Sequence, residues 1–274
     1  MKSIVILALL LNLSSAFARQ RSVPPYHLLN PVPAGSLREM ETDRPNVTES
    51  AFTVDAGHFQ YETDLFRSEH VSSEEGKTST LYLNQFLLKT GLVKNTELQA
   101  GFQTYGWQRS REQSGEIKHT DGVGNLIVRL KQNLTGNDGG KFVMAVLPYL
   151  RFPTSAIEKS RYEYGLIVPM QTELPGDWKL GFQIEADRLK DESSAGMHTE
   201  FLQSLTLSHE ILKDLDGIAE TYYSYDLKAH QWANYLNAAL QVKIAQGVKL
   251  DGGVNYGLQH DARKSYFIGS SIRF

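Results

Sequence analysis

Apolar and polar residues alternate along most of this chain, from Gly57 to its last residue. The clearest segment places Trp178, Leu180, Phe182, Ile184 and Ala186 at every second position, with Lys179, Gln183, Glu185 and Asp187 between them. Successive side chains of a β-strand point to opposite faces of the sheet. This pattern therefore predicts strands that are apolar on one face and wetted on the other.

Turn residues divide the alternating region into about twelve strands, with short connections and longer, more charged ones following each other in turn. The predicted strands are 57–68, 79–92, 96–107, 122–134, 141–152, 161–174, 177–188, 198–212, 217–228, 231–245, 248–259 and 264–274. The longer connections are 69–78, 108–121, 153–160 and 189–197. This arrangement predicts an all-β fold, a transmembrane antiparallel β-barrel. Segment 141–152 fits less well, because both of its faces are apolar.

The final strand ends the chain on an aromatic residue. Tyr266, Ile268, Ile272 and Phe274 share one face, and the other face is mostly small or polar. We interpret Phe274 as the membrane-insertion signal, through which the C-terminal strand would meet the barrel-assembly machinery. Aromatic residues near other strand ends, such as Tyr105 and Trp107, fit either an interfacial girdle in contact with outer-membrane lipid or the ordinary composition of a sheet, in which Tyr and Trp are common.

The N-terminal part lacks this alternation. Residues 1–18 have a positive start at Lys2, an apolar run and small residues at Ala16 and Ala18, which is typical of a secretory signal peptide. The alternative, a membrane anchor, is disfavoured because a spanning helix needs about 20 apolar residues. Residues 19–56 contain several prolines and predict an irregular segment, and residues 57–274 form the predicted barrel.

Composition removes several functional classes. The chain has no cysteine, which excludes thiolate chemistry and disulfides, and its net charge of −3 gives no basic surface for nucleic acid. The mean hydropathy of −0.34 suits a soluble protein or a barrel equally well. The eight histidines show no metal-ligand spacing, and we expect neither a metal nor another cofactor.

Three stretches resemble the outer-membrane transporter family named for the MetA pathway of phenol degradation. They are Glu41–Ser50 followed by Thr53–Glu62, Gly122–Asn125 with Lys131, and Leu250–Leu258 with Ser271–Phe274. The resemblance implies a barrel in the bacterial outer membrane that transports small solutes, among them hydrophobic or aromatic ones. Asn125 stands where the family usually has Asp, and this removes one expected charge from the lumen.

The charged residues of the strands fall mostly on the polar, lumen-facing side. The candidates for the lumen are Glu62, Asp64, Lys89, Glu97, Arg129, Lys131, Arg151, Glu185, Glu220, Asp226, Lys243, Asp251 and Arg273. Both signs are present. The set therefore predicts either a selectivity constriction or a salt-bridged filling that holds the wall and the N-terminal segment.

Asp43, Arg44 and Glu49, within the first matching stretch, are the candidates for a plug. We expect the stretch to enter the mouth of the barrel and to pair with wall charges such as Arg273 or Glu220. The alternative is a flexible leader outside the barrel. Pairing would be stronger in a narrow lumen than on a free surface.

These features favour a channel for passive uptake of small solutes. A structural or gated barrel closed by its N-terminal segment is the second hypothesis. The third is an outer-membrane hydrolase, for which His198 with Ser193 or Ser194 is the nearest candidate pair. A soluble periplasmic β-sandwich is the alternative at the level of the fold. We expect a non-enzymatic protein, because the chain carries no recognised catalytic motif.

Overall fold

Thirteen β-strands make up almost all of the regular structure in the computed structural model, which describes residues 26–73, 76–157, 161–191, 194 and 196–274. In chain order β1 to β13 are Phe59–Ser73, Gly76–Val93, Thr96–Glu112, Ile117–Gly122, Leu126–Thr135, Phe142–Phe152, Glu163–Leu174, Trp178–Lys190, Met197–Leu212, Leu215–Asp226, Gln231–Ala245, Val248–Gly257 and Lys264–Arg273. A 3-10 turn covers Ala34–Ser36. The predicted signal peptide, residues 1–18, lies outside the described residues.

Twelve of these strands close into a barrel. β1 pairs with both β2 and β13, and every further neighbour is paired antiparallel around the ring. β3 closes the ring because one of its edges pairs with β2 and the first half of its other edge, Thr96–Phe102, pairs with β5. β4 lies outside the ring and pairs with the upper part of β3. The predicted all-β antiparallel barrel of about twelve strands is confirmed.

The two ends of the barrel differ. One end, the short-turn end, carries tight connections such as Lys94–Asn95 and residues 213–214, and it also holds Phe274. The opposite, long-loop end carries the remaining connections, among them residues 153–162 and 258–263.

The strands at the long-loop end are longer than the sequence indicates. The stretches 69–78 and 108–121 were expected as connections, yet β1 reaches Ser73, β2 starts at Gly76, β3 reaches Glu112 and β4 starts at Ile117. The expected strand 122–134 is also divided, with a break at residues 123–125 between β4 and β5. Both faces of these strand ends are polar. The alternation that marks a half-buried strand therefore disappears while the ladder continues.

The barrel is apolar outside and polar inside. Ile268 and Leu240 on the outer face are 58% and 51% exposed, whereas Lys131 and Glu97 on the inner face are fully buried. The inner faces of β6 and β7 are the exception. Leu147, Tyr149 and Ile167 form an apolar cluster there, which explains why segment 141–152 is apolar on both faces.

Among the described residues, no helix is both long enough and apolar enough to span a membrane.

Candidate functional site

Residues 38–56, called here the luminal segment, fill the middle of the barrel. The chain first follows the short-turn rim, where the Leu28 amide donates to the Leu92 carbonyl at 2.9 Å. It then enters the lumen and returns to start β1 at Phe59. The ring of His58 contacts the carbonyl oxygens of Val32 and Phe274, at 2.8 and 2.9 Å, and fastens the entry point to the rim.

Asp43 is the most densely bonded group of the luminal segment. Its carboxylate lies 2.8 Å from Lys89 Nζ, 2.7 Å from Lys131 Nζ and 3.5 Å from Arg129 Nη2. The sheet register creates this cluster, because Gln99 on β3 stands directly opposite Lys89 on β2 and Arg129 on β5. Burial alone would raise the pKa of Asp43, but the three cations outweigh it and hold the pKa well below its usual range.

Glu62 on β1 binds the backbone beside Asp43. The amides of Asp43 and Arg44 both donate to Glu62 Oε2 at 3.0 Å, and Lys89 Nζ lies 2.8 Å from Glu62 Oε1. Glu62 therefore joins the wall to the segment through a cation and two amides. Asp43, Glu62 and Lys89 are all buried, so water screens these interactions little.

Arg44 points toward β1, β12 and β13. It forms ion pairs with Asp64 on β1 and with Asp251 on β12, the latter at 2.6 Å. Its guanidinium carbon lies 5.6 Å from the centre of the Phe267 ring, and Arg67 contacts the same ring at 4.8 Å. Arg44 thus connects the segment to three strands.

The opposite side of the lumen holds the segment mainly through hydrogen bonds. Glu220 on β10 accepts from the amides of Val47 and Thr48, at 2.9 and 2.7 Å. The Glu49 amide donates to Gln183 Oε1 at 2.8 Å, and the Glu49 carboxylate pairs with Arg129. Burial raises the pKa of Glu49; Arg129 opposes the shift and the nearby Asp43 charge adds to it.

The last part of the segment runs back to the short-turn end. The Val54 amide donates to Glu97 at 2.6 Å, and Asn133 Nδ2 donates to the Ala51 carbonyl at 2.9 Å. Asp55 pairs with Arg38 at 2.7 Å and with Arg273 at 3.5 Å. The segment therefore has bonded contacts along most of its length.

Two cavities lie on either side of the middle of the luminal segment, and a third, of about 450 Å³, adjoins its first residues at the short-turn rim. The upper cavity, toward the long-loop end, has a volume of about 440 Å³, and the lower cavity has a volume of about 290 Å³. Arg44, Asn46 and Glu49 line both cavities. The partition between the two spaces is therefore formed by the segment itself, and the surrounding wall holds it in place.

The structure brings most of the expected lumen residues together around the segment. Glu62, Asp64, Lys89, Glu97, Arg129, Lys131, Glu220, Asp251 and Arg273 all contact it directly. Glu185 accepts a hydrogen bond from Gln183 on the wall. Lys243 contacts the start of the segment at the short-turn rim, where it lies 3.6 Å from Glu39. The remaining two candidates lie toward the long-loop end: Arg151 pairs with Glu163, and Asp226 accepts from the Lys228 amide.

The expected partners of the plug candidates differ from the observed ones. Arg273 and Glu220 were expected to pair with Asp43 and Arg44, yet Arg273 pairs with Asp55 and Glu220 binds backbone amides. Asn125 accepts from the Ser155 amide near the long-loop end, outside the charged cluster. Uncharged residues such as Gln99 and Thr206 were missed, although they lie on the same polar faces as the charges.

His198 and Ser194 do not bond to each other among the described residues. Both bind Asp191 instead: the His198 ring lies 3.1 Å from one carboxylate oxygen, and Ser194 Oγ donates to the other at 2.6 Å. A nucleophile needs its base within hydrogen-bond reach, and this arrangement joins the ends of one loop. Ser193 lies outside the described residues. The described residues contain no group of three or more ligands placed for a metal ion.

Sequence comparison identifies one family. A family model described as "Putative MetA-pathway of phenol degradation" matches residues 42–274. No curated protein matches this chain.

Several solved barrels are similar in structure. The COG4313 outer membrane channel from Pseudomonas putida F1 is 12% identical with a TM-score of 0.63, over 84% of this chain and 99% of that one. The NanC porin is 12% identical with a TM-score of 0.51, and the match covers 77% of this chain and 98% of that one. The KdgM porin, solved with disordered oligogalacturonate, is 12% identical with a TM-score of 0.51, and the match covers 79% of this chain and 99% of that one. These likenesses show the fold.

Proposed function

This chain belongs to the family described as the MetA-pathway of phenol degradation, and from that premise we propose that it forms a passive channel for small solutes in the bacterial outer membrane. The apolar outer face and the polar lumen fit a barrel that contacts outer-membrane lipid. One observation carries the proposal. Two cavities approach each other from opposite ends of the barrel, and Arg44, Asn46 and Glu49 separate them.

The partition acts as the selectivity constriction in this proposal. It presents a guanidinium, an amide and a carboxylate to a passing solute, and charged groups at a narrow point control which ions and polar molecules pass. The upper cavity is also lined by Tyr82, Ile127 and Ile157. A solute with an apolar or aromatic body and polar substituents suits such a lining.

The second candidate function is a barrel closed by its luminal segment, opened only when the segment moves. The density of buried ion pairs around Asp43 favours it. We also propose that the protein is not an enzyme, since Ser194 and His198 are both engaged by Asp191. The solved barrels of similar fold that are named above are porins and a channel.

Planar-bilayer recording on the refolded chain tests the channel. We expect steady conductance from the unmodified protein and flux of small solutes into liposomes. A version lacking residues 19–55 separates the two candidates. Conductance that appears only after this deletion identifies a closed barrel, and a barrel that neither conducts nor passes solute in either form contradicts the channel.

We further propose that the C-terminal strand is recognised during membrane insertion. The Phe274 side chain is 66% exposed at the end of β13, where its backbone pairs with Phe59. Replacement of Phe274 by Ala is expected to slow assembly into membranes without changing the conductance of protein refolded in detergent. Replacement of Phe142, a similarly exposed aromatic at the start of β6, serves as the control.

A further inference from the structure

Five neighbouring strands share a row of directly opposed residues near the long-loop end. Lys264 on β13 stands opposite His70 on β1, His70 opposite Ser79 on β2, Ser79 opposite Arg109 on β3, and Arg109 opposite His119 on β4. Directly opposed residues of an antiparallel sheet lie on the same face. These side chains therefore form one continuous band across the sheet.

This band lies on the outer face of the barrel. The next row toward the membrane centre includes Tyr266 and Trp107, which are 51% and 44% exposed, and the row below that includes Ile268. The residues between them in sequence, such as Phe267 and Tyr82, are buried on the inner side. The band is therefore placed directly above the apolar surface that contacts lipid, beyond its aromatic border.

The next row outward adds two more cations, because Lys77 on β2 stands opposite Arg111 on β3. Neither they nor Arg109 form an ion pair with another described residue. The nearby carboxylate of Glu112 pairs with Lys118, which lies on the other face of β4. Glu74 and Glu75 fall outside the described residues.

Like charges directly opposite each other on neighbouring strands destabilise a sheet. Lys77 with Arg111 is such a pair, and Arg109 with His119 becomes one when the imidazole is protonated. An anion between the side chains removes this repulsion. Farther around the rim, the outer positions of β10 and β11 hold Tyr225 opposite Trp232.

We propose that this outer basic row, formed by Lys264, His70, Arg109, His119, Lys77 and Arg111, binds the phosphate groups of an anionic glycolipid in the surrounding membrane leaflet. Aromatic residues mark the level of the lipid headgroups, and the row lies immediately beyond them. Arginine is well suited to phosphate because its guanidinium donates two parallel hydrogen bonds.

Two contacts orient the row for this role. The ring of His119 stacks on Trp107 with centroids 5.7 Å apart, and Lys264 Nζ lies 4.6 Å from the centre of the Tyr256 ring. Both side chains thus contact aromatic rings, that of Trp107 in the border and that of Tyr256, which stands opposite Lys264. The inference rests on the proposed membrane location, but it does not depend on whether the lumen conducts.

Titration of the refolded, detergent-solubilised chain with bis-phosphorylated lipid A tests the proposal, with the same glycolipid after removal of its phosphates as the reference. We expect tighter binding of the phosphorylated form, weakened by salt. The double variant Arg109→Gln with Arg111→Gln should lose about fivefold in affinity for each cation removed, the size typical of one basic residue near an anionic surface.

Lys118→Gln is the matched control, because it removes one positive charge from the same hairpin on the opposite face. It should leave binding unchanged, and Arg109→Lys with Arg111→Lys should retain most of it. Equal binding of the two glycolipids by the unmodified chain would overturn the proposal even if the Gln variant failed to fold. An equal loss in Lys118→Gln would also overturn it.

Bilayer conductance recorded on the same samples separates this inference from the channel. Phosphate-dependent binding by a barrel that does not conduct would uphold the outer basic row and contradict the proposed function. Conductance without a preference for the phosphorylated glycolipid would support the proposed channel and contradict the outer basic row.

Discussion

The two sides of the lumen hold the same segment in different ways. On the side of β1, β2, β3 and β5, the buried cations Lys89 and Lys131 pair with Asp43, and the buried Glu62 accepts from the adjoining backbone. On the side of β8 to β10, Glu220 and Gln183 accept hydrogen bonds from backbone amides. The first side is a charged anchor of buried groups. The second is a set of directional contacts, and its ion pair, Lys179 on β8 with Glu41 at 3.1 Å, is partly exposed to water.

The difference indicates which side of the partition can move. Removing one partner of a buried ion pair is costly, because the remaining charge stays buried and unpaired. A lost hydrogen bond to a backbone amide costs less when water can replace the partner, and the lower cavity adjoins this side of the segment. We therefore infer that the segment stays anchored at Asp43 and opens, where it opens, along β8 to β10.

Replacement of Asp43 by Asn is expected to have the largest effect. The amide cannot balance Lys89, Lys131 and Arg129, so the free energy of unfolding should fall by about 3–5 kcal/mol. Single-channel conductance should rise, because the anchor no longer holds the partition. Urea unfolding in detergent and bilayer recording measure the two quantities.

Asp138→Asn is the matched control for that variant. Asp138 pairs with Lys94 at the short-turn rim, where both side chains are more than half exposed. A surface pair of this kind contributes about 0–1 kcal/mol. Equal behaviour of the two variants would contradict the charged anchor.

Replacement of Arg44 by Gln should have the second largest effect. It removes the cation that joins Asp64 to Asp251, and Asp251 is buried. A hydrogen bond to a charged group contributes about 1.5–3 kcal/mol, and Asp64 keeps Arg67 as a partner, so we expect a loss within that range. The lumen also becomes more negative, and reversal potentials in a salt gradient should shift toward cation preference. Lys94→Gln, at the exposed pair with Asp138 on the short-turn rim, should change neither quantity measurably.

Replacement of Glu220 by Gln tests the weaker side. The amide oxygen still accepts from one backbone amide, so we expect a loss of about 0.5–1.5 kcal/mol, the range of one neutral hydrogen bond. Single-channel conductance should alternate between discrete levels as residues 47–49 separate from the wall, while the contacts of Asp43 remain. Glu210→Gln, at an exposed turn where Glu210 accepts from the Asp214 amide, is the control. A larger loss than in Asp43→Asn would reverse the inferred order of the two sides.

The fold could be predicted from the sequence because lipid and water impose opposite demands on the two faces of each strand. The pattern at 177–188 marks β8 to within two residues, since Phe182 and Ile184 face outward while Gln183 and Glu185 do not. Near Arg109 and Lys77 the prediction failed, because the strands continue beyond the apolar band and both faces are polar.

The site was less predictable than the wall. The strand charges that surround the segment could be selected by their position on the polar face, as Lys89 and Lys131 were. The partners of these charges could not be selected from the sequence, because the luminal segment has no periodicity and its path depends on the closed barrel. The register that sets Lys89, Gln99 and Arg129 side by side exists only after β2, β3 and β5 have paired.

The smallest expected effect concerns pH and Glu49, which lies between the two sides. Its pKa is raised in the closed arrangement, so the protonated form stabilises that arrangement; this contribution is present at low pH and is lost as pH rises through the raised pKa. Conductance should therefore increase modestly between about pH 5 and about pH 8, the range above the ordinary pKa of Glu. Glu49→Gln should flatten this dependence, because the amide remains neutral throughout. If the conductance of Glu49→Gln depended on pH with the same slope, the titrating group would be another residue. The charged anchor at Asp43 would then be the only part of the partition with a defined electrostatic role.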